Sequence, residues 1–138
     1  MRLFKVLLLL CLCAVAGGAL ASKKTNELDK NQYAWSGAIR WGEFEQAQNL
    51  IDPRVRKDQP VSALQLERYK QVQISSYRDV GSSLDKERGL AVRDIEIGVI
   101  NRHTQAERTI RYREEWRWDD LAKTWWLTSG LPDLWDGM

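Results

Sequence analysis

The chain has 138 residues, with 21 basic and 19 acidic side chains and a formal net charge of +2. This even mixture lacks the basic stripe that nucleic-acid binding usually needs, so we expect no nucleic-acid partner. Both cysteines, Cys11 and Cys13, lie in an apolar N-terminal stretch, which leaves the rest of the chain without disulfides or thiol chemistry. His103 is the only histidine and is expected in an exposed turn. The sequence therefore predicts no metal site and no cofactor.

The first 21 residues have the layout of a secretory signal peptide. Arg2 and Lys5 precede an apolar run over residues 6–15, and residues 19–21 (ALA) form a small-x-small cleavage pattern. We expect cleavage after Ala21 and a periplasmic or secreted protein. The run is shorter than the ~20 apolar residues that span a bilayer, so no stable membrane insertion is expected after cleavage. A retained membrane anchor is the alternative.

Helices are predicted in the first half of the remaining chain. Apolar residues recur at helical spacing over 31–40 and again over 43–51. Residues 54–60 (RVRKDQP) are predicted as a charged loop. Ser62 with Gln65 three residues later is a capping-box pattern, which predicts a third, short helix.

The apolar period then changes to two, which is typical of strands. Four strands are predicted, over residues 71–77, 90–99, 108–118 and 124–129. In the second strand the apolar phase slips by one between Val92 and Ile95, as a β-bulge would produce. In the last two strands the alternation predicts Trp118 opposite Trp125 in the core, with Trp126 on the outer face.

The order of these elements predicts an α+β fold, in which N-terminal helices pack on one face of a curved, mainly four-stranded antiparallel sheet. The predicted organisation is a signal peptide over 1–21, a polar leader over 22–30 and a single domain over 31–138.

The chain resembles the nuclear-transport-factor-like cone superfamily, which includes ketosteroid isomerase. The resemblance lies in two helices joined at IRWGEFEQAQNLIDP, followed by a meander that ends in a Trp-rich hairpin. More narrowly, YAWSGAIRWGEFEQAQNLIDP and RWDDLAKTWWLTSGLPD are similar to small uncharacterised exported proteins and lipoproteins of Gram-negative bacteria. The resemblance implies a cone-like fold and a cell-envelope location. The superfold hosts both enzymes and binding modules, so it does not decide the function.

Glu114 is the candidate for chemistry, because it lies in the inward phase of its strand beside Tyr112 and Trp116. A carboxylate against aromatic rings in a cavity would have a raised pKa and could act as an acid or base, with Tyr112 as a hydrogen-bond donor. The alternative is a structural Glu114 that pairs with Arg40 or lies at a solvated rim.

The outer face of the sheet is the candidate for partner binding. Arg113 and Arg117 lie on this face, and Trp126 is predicted beside Arg117, where an exposed tryptophan would indicate an interface. The alternative is a solvated face on which Asp94 and Glu96 neutralise the arginines. The binding interpretation requires Trp126 to be largely exposed.

These features favour an exported, non-enzymatic binding or assembly module of the bacterial cell envelope. Its partner would be a second copy bound through the sheet face, or an envelope protein or glycan. The alternative is an isomerase- or dehydratase-type enzyme that acts on a small molecule with the Glu114 carboxylate.

Overall fold

Helices precede a single antiparallel sheet in the chain. The computed structural model describes the backbone of residues 2–137 and the side chains of residues 18 and 20–137. The helices are α1 (Arg2–Arg40), α2 (Phe44–Ala47), α3 (Pro53–Asp58) and α4 (Ala63–Tyr69), with a short 3-10 turn at Gln48–Leu50. The strands are β1 (Val72–Asp85), β2 (Leu90–Asn101), β3 (Glu107–Asp119) and β4 (Thr124–Leu127), in the order β1-β2-β3-β4. The predicted α+β class is confirmed.

Helix α1 includes residues 22–30, which the sequence predicted as a loose leader. Leu28 is buried there, and the Asn31 side chain one turn later donates hydrogen bonds to Trp125 O and Thr124 Oγ1, each at 2.9 Å. The segment looks polar in sequence because only one face of the helix contacts the sheet. We find no membrane-spanning helix in the part of the chain that the structure describes.

Helices α3 and α4 begin at clear capping residues. The Asp52 side chain accepts a hydrogen bond from Arg54 N at 2.9 Å, and Pro53 occupies the first turn, so residues that were predicted as a loop form α3. The capping box of α4 is confirmed: Ser62 Oγ accepts from Gln65 N at 3.1 Å, and Gln65 Oε1 accepts from Ser62 N at 2.9 Å.

The bulge predicted in β2 is wrong. β2 pairs with β3 without a register shift, and the two irregularities of the sheet lie in β1. The inward phase of β2 continues through Arg93, which lies between the buried Ala91 and Ile95. The gap in the apolar pattern is therefore a charged side chain that faces the core.

The core lies between α1 and the inner face of the sheet. The predicted register is confirmed, with Trp118 opposite Trp125 and Trp116 opposite Leu127. Trp116 and Trp125 are buried, and Trp118 is partly buried against Trp125. The largest buried side chains are Trp35, Trp116, Trp125, Ile39, Ile95, Ile97, Leu127 and Leu134. Because each tryptophan buries ~150–250 Å², these rings contribute much of the core of a small domain.

Candidate functional site

Glu114 forms an ion pair with Arg93 between the sheet and α1. The two residues lie directly opposite each other on β3 and β2. Arg93 Nη2 is 2.6 Å from Glu114 Oε2 and 2.8 Å from Oε1, and Arg93 Nε is 3.2 Å from Oε1. The same Nη2 donates to Ser36 Oγ at 2.9 Å and approaches Gln32 O at 3.3 Å. The guanidinium group therefore connects α1 to two strands of the sheet.

Aromatic donors complete the shell around the Glu114 carboxylate. Trp116 Nε1 donates to Oε1 at 2.9 Å, and the Tyr77 hydroxyl donates to Oε2 at 2.8 Å. The Tyr77 oxygen in turn accepts from Trp35 Nε1 at 2.9 Å. The Glu114 residue is 0% exposed, so both carboxylate oxygens are hydrogen-bonded and dry.

Burial dominates the electrostatics of this network. It raises the pKa of Glu114, while the positive charge of Arg93 and the hydrogen bonds from Arg93, Tyr77 and Trp116 oppose that rise. Burial, followed by the negative charge of Glu114, raises the pKa of Tyr77 well above its ordinary value. Tyr77 therefore stays protonated near neutral pH and remains a donor to the carboxylate.

The structure corrects two expected contacts of Glu114. Its basic partner is Arg93, whereas Arg40 lies exposed at the C-terminal end of α1. The Tyr112 hydroxyl donates to Gly130 O at 2.5 Å instead of to Glu114. Five pockets found in the described part of the chain include neither Glu114 nor Tyr112 in their lining. The Glu114 carboxylate is fully buried and bonded to Arg93, Tyr77 and Trp116, so this geometry gives no positive support to acid–base catalysis there.

The arginines of the outer sheet face are paired within the chain. Arg113 Nε donates to Asp94 Oδ1 at 2.9 Å, which is the neutralising partner that the sequence offered as an alternative, and this bond lowers the pKa of Asp94. Arg117 Nε donates at 2.9 Å to Oδ2 of the buried Asp52, the capping residue of α3. Arg117 therefore connects the sheet to α3 and is not free for a ligand.

Trp126 lies beside Arg117 across the β3–β4 pair, as predicted, but it is only partly exposed. Its Nε1 donates to Asp119 Oδ2 at 3.0 Å. The binding interpretation required Trp126 to be largely exposed, and among the described residues of this face it is not.

A groove that the sequence did not indicate lies between α3, α4 and the C-terminal segment over residues 129–132. This α3–α4 groove has a volume of about 200 Å³. Its lining is Ile51, Val55, Arg56, Gln59, Pro60, Val61, Gln65, Tyr69, Ser129, Gly130 and Leu131. Arg56 is the only charged residue in this lining, and its Nε is buried without a hydrogen-bond partner among the described residues. Leaving a buried donor unpaired costs ~1–3 kcal/mol, so Arg56 is the polar group of the lining whose hydrogen bonding is incomplete.

Two tyrosines hold the C-terminal wall of the groove in place. The Tyr69 hydroxyl donates to Pro132 O at 2.6 Å, and the Tyr112 hydroxyl donates to Gly130 O. Burial raises the pKa of Tyr69 to about 12, so this contact persists near neutral pH. Tyr69 also stacks on Phe44 with ring centroids 4.4 Å apart. The groove is therefore preformed by the core.

No group of three or more His, Cys, Asp or Glu side chains among the described residues is arranged to hold a metal ion. His103 is exposed in the β2–β3 turn, where its backbone N donates to Asn101 Oδ1 at 2.9 Å.

No protein-family model and no curated protein matches this chain. Among solved structures, the chain is similar to a SEC-C motif containing protein from Rhodopseudomonas palustris, determined in solution. The TM-score is 0.55 at 17% identity, over 74% of this chain and 73% of that chain. At this identity the likeness concerns the fold alone.

The match overturns the resemblance to the nuclear-transport-factor-like cone superfamily, and with it the narrower assignment to small exported proteins and lipoproteins of Gram-negative bacteria. The resemblance rested on the order of helices and strands, and that order is common to several α+β folds. It therefore does not identify one of them.

Proposed function

We propose that this protein is an exported, non-enzymatic binding module of the cell envelope, and that it binds a small anionic ligand in the α3–α4 groove. Export is supported by Arg2, Lys5, the apolar run over residues 6–15 and the cleavage pattern at residues 19–21. The observation that carries the binding site is Arg56, the single charged residue of the groove lining, whose guanidinium Nε has no hydrogen-bond partner among the described residues. A homodimer through the sheet face stays a prediction.

The lining of the groove defines the class of ligand. A guanidinium group binds carboxylates through two parallel hydrogen bonds. The rest of the lining is mixed: four aliphatic residues, Ile51, Val55, Val61 and Leu131, stand beside polar residues such as Gln59, Gln65 and Ser129. The volume of about 200 Å³ is below the ~300–1,000 Å³ of sites for drug-sized ligands. A carboxylate with a short apolar body fits both the charge and the size.

The groove has no group suited to proton transfer near neutral pH. Arg56 and Tyr69 are its only titratable lining residues. An arginine stays protonated in proteins, and Tyr69 has a pKa of about 12 with its hydroxyl donated to Pro132 O. Without a base or a nucleophile of matched pKa, binding is the activity that this site supports.

Calorimetric titration of the full chain tests this proposal. Isovalerate and benzoate are compared with their neutral amides, isovaleramide and benzamide. We expect the acids to bind and the amides to bind at least tenfold more weakly, because only a carboxylate pairs a negative charge and two acceptor oxygens with the guanidinium group. Loss of a hydrogen bond to a charged group costs ~1.5–3 kcal/mol, so Arg56→Gln should raise the Kd of the acids roughly 10- to 100-fold.

Arg54→Gln is the matched control, because Arg54 is exposed on the same helix and does not line the groove. It should bind the acids like the parent chain. Equal affinity for acids and amides, or an Arg56→Gln chain that binds as the parent does, would contradict the proposed site.

A further inference from the structure

A second pocket adjoins the α3–α4 groove along α4. Its volume is about 300 Å³, and its lining is Gln65, Arg68, Tyr69, Leu131, Asp133 and Trp135. Three of these residues, Gln65, Tyr69 and Leu131, also line the α3–α4 groove. The two pockets are therefore neighbouring halves of one cleft between the helices and the C-terminal segment over residues 129–135. We call the second half the Trp135 pocket.

The C-terminal segment is a fixed wall of this cleft. Pro132 and Leu134 are buried, and their carbonyl groups accept hydrogen bonds from the side chains of Tyr69 and Arg108. The alternate positions 131, 133 and 135 line the Trp135 pocket. Every second residue of the segment therefore contributes to the cleft while the residues between them hold the segment on the core.

The two halves of the cleft differ in charge. Arg56 is the only charged residue that lines the α3–α4 groove, and a guanidinium group favours a carboxylate there. In the Trp135 pocket, Arg68 and Asp133 carry opposite charges, so the lining of that pocket is neutral. One half of the cleft thus suits an anionic group, and the other half suits an uncharged one.

The Trp135 pocket contains a stack of planar groups. Arg68 Cζ lies 4.0 Å from the centroid of the Trp135 ring, and the rings of Trp135 and Tyr69 meet edge to face with centroids 5.2 Å apart. Because Arg68 is exposed, the outer face of its guanidinium group is accessible to a ligand. Guanidinium groups stack on aromatic rings, so an aromatic group of a ligand extends this stack by one ring.

Gln65 lies at the boundary between the two pockets. Its Oε1 accepts from Ser62 N at 2.9 Å in the capping box of α4, which leaves its amide nitrogen as the group that can donate to a ligand. A peptide carbonyl is a suitable acceptor for this nitrogen. The cleft therefore offers, in order, a cation, an amide donor and an aromatic platform.

We propose that the ligand of this cleft is the C-terminal end of a peptide. The terminal carboxylate pairs with Arg56, and the last side chain is small, apolar and held in the α3–α4 groove. The preceding residue is aromatic and stacks on Arg68 in the Trp135 pocket. Capture of a terminal carboxylate is a recurring mode of peptide recognition. This inference rests on the proposed anion site at Arg56 and adds the class of ligand.

Calorimetric titration of the full chain compares two peptides that differ only in the preceding residue, acetyl-tyrosyl-valine and acetyl-glycyl-valine. The tyrosyl peptide should bind on the order of tenfold more tightly, because its ring gains the cation–π contact with Arg68. Acetyl-tyrosyl-valinamide lacks the terminal charge and should bind roughly tenfold more weakly than the acid. Arg56→Gln should weaken the binding of both acids and leave their affinity ratio unchanged.

Two variants remove the stack in the Trp135 pocket. Arg68→Ala removes the guanidinium group at an exposed position, and Trp135→Leu removes the ring beneath it while retaining apolar volume. Each variant should reduce the affinity ratio of the two acids to less than about threefold. Leu64→Ala is the matched control, since Leu64 is exposed on α4 and lines neither pocket, and it should keep the full ratio.

Isovalerate distinguishes failure of the peptide assignment from failure of the anion site. If isovalerate binds through Arg56 and the two peptides bind equally, the anion site stands and the peptide assignment is overturned. A tyrosyl preference that persists in both Arg68→Ala and Trp135→Leu would also overturn it, because the ring would then lie outside the Trp135 pocket. If neither isovalerate nor the peptides bind, the proposed function itself fails, and the peptide assignment fails with it.

Discussion

Replacing Arg93 with methionine tests whether the buried ion pair is the main connection between α1 and the sheet. Arg93 makes three of the five hydrogen bonds to the Glu114 carboxylate, and that carboxylate is fully buried. Methionine keeps the apolar stem but leaves the charge unpaired. Breaking a buried pair in this way costs ~3–5 kcal/mol, a large share of the 5–15 kcal/mol of stability that is typical of a domain.

Urea unfolding of the full chain at pH 7, followed by tryptophan fluorescence, measures the loss. Adding Glu114→Gln to Arg93→Met should recover at least half of it, because the amide oxygen still accepts hydrogen bonds from Tyr77 and Trp116 without a charge. Burial raises the pKa of Glu114 in the folded chain above its unfolded value of ~4.3. The contribution of Glu114 to the free energy of unfolding is therefore complete below that unfolded pKa and is lost as the pH rises. The Arg93→Met chain should therefore regain stability as the pH is lowered toward that value.

The exposed pair of Arg113 with Asp94 provides the control, and Arg113→Met should unfold close to the parent chain. If Arg93→Met unfolds at the same urea concentration as Arg113→Met, the ion pair is not the connection that we describe. A double variant with Glu114→Gln that is no more stable than Arg93→Met would lead to the same conclusion.

Two further predictions concern the backbone and the tyrosines. Gly89→Ala should lower the free energy of unfolding, measured by thermal unfolding, by more than ~1 kcal/mol, because Gly89 has φ +65° and an added Cβ would lie 2.9 Å from Trp118 Cβ. Gly130 has φ +74° with nothing within 4 Å of an added Cβ, so Gly130→Ala should lower it less. The pKa of Tyr69 is raised from 10.0 to about 12, so its contribution is complete below pH 10 and is lost as the pH rises toward 12. Alkaline unfolding monitored by tyrosinate absorbance should show this loss in the parent chain and a smaller one in Tyr69→Phe.

The sequence predicted the hairpin register well because side chains in strands alternate strictly. The phases of Trp116, Trp118 and Trp125 were sufficient to pair β3 with β4. The capping box of α4 was equally local, since its two partners are three residues apart.

The ion pair was not predicted from the sequence. A charged residue that faces the core interrupts the alternation of apolar residues along a strand, and such an interruption is easily interpreted as a bulge. Arg93 interrupts the apolar pattern of β2, and Glu114 interrupts that of β3. Their signal was available in combination: opposite charges stand at facing positions of two adjacent antiparallel strands. One strand considered alone favours a bulge, whereas the pair of strands favours a buried ion pair.

The α3–α4 groove could not be predicted, because its walls are distant in sequence. Arg56 and residues 129–131 line the same groove although they are far apart in the chain, and the C-terminal segment is held there by Tyr69 and Tyr112. No local pattern encodes these contacts. Asp52-Pro53 was interpreted as the end of one helix, although the same residues also begin α3.

The most direct test of the account is an NMR titration of the side-chain N–H groups with isovalerate. We predict that the Arg56 Nε–H resonance shifts and saturates, while the indole N–H resonances of Trp35 and Trp116 beside the Glu114 network stay unchanged. Shifts of the Trp35 and Trp116 resonances with an unchanged Arg56 resonance would contradict the account, since they would place the ligand at the buried carboxylate and not in the α3–α4 groove.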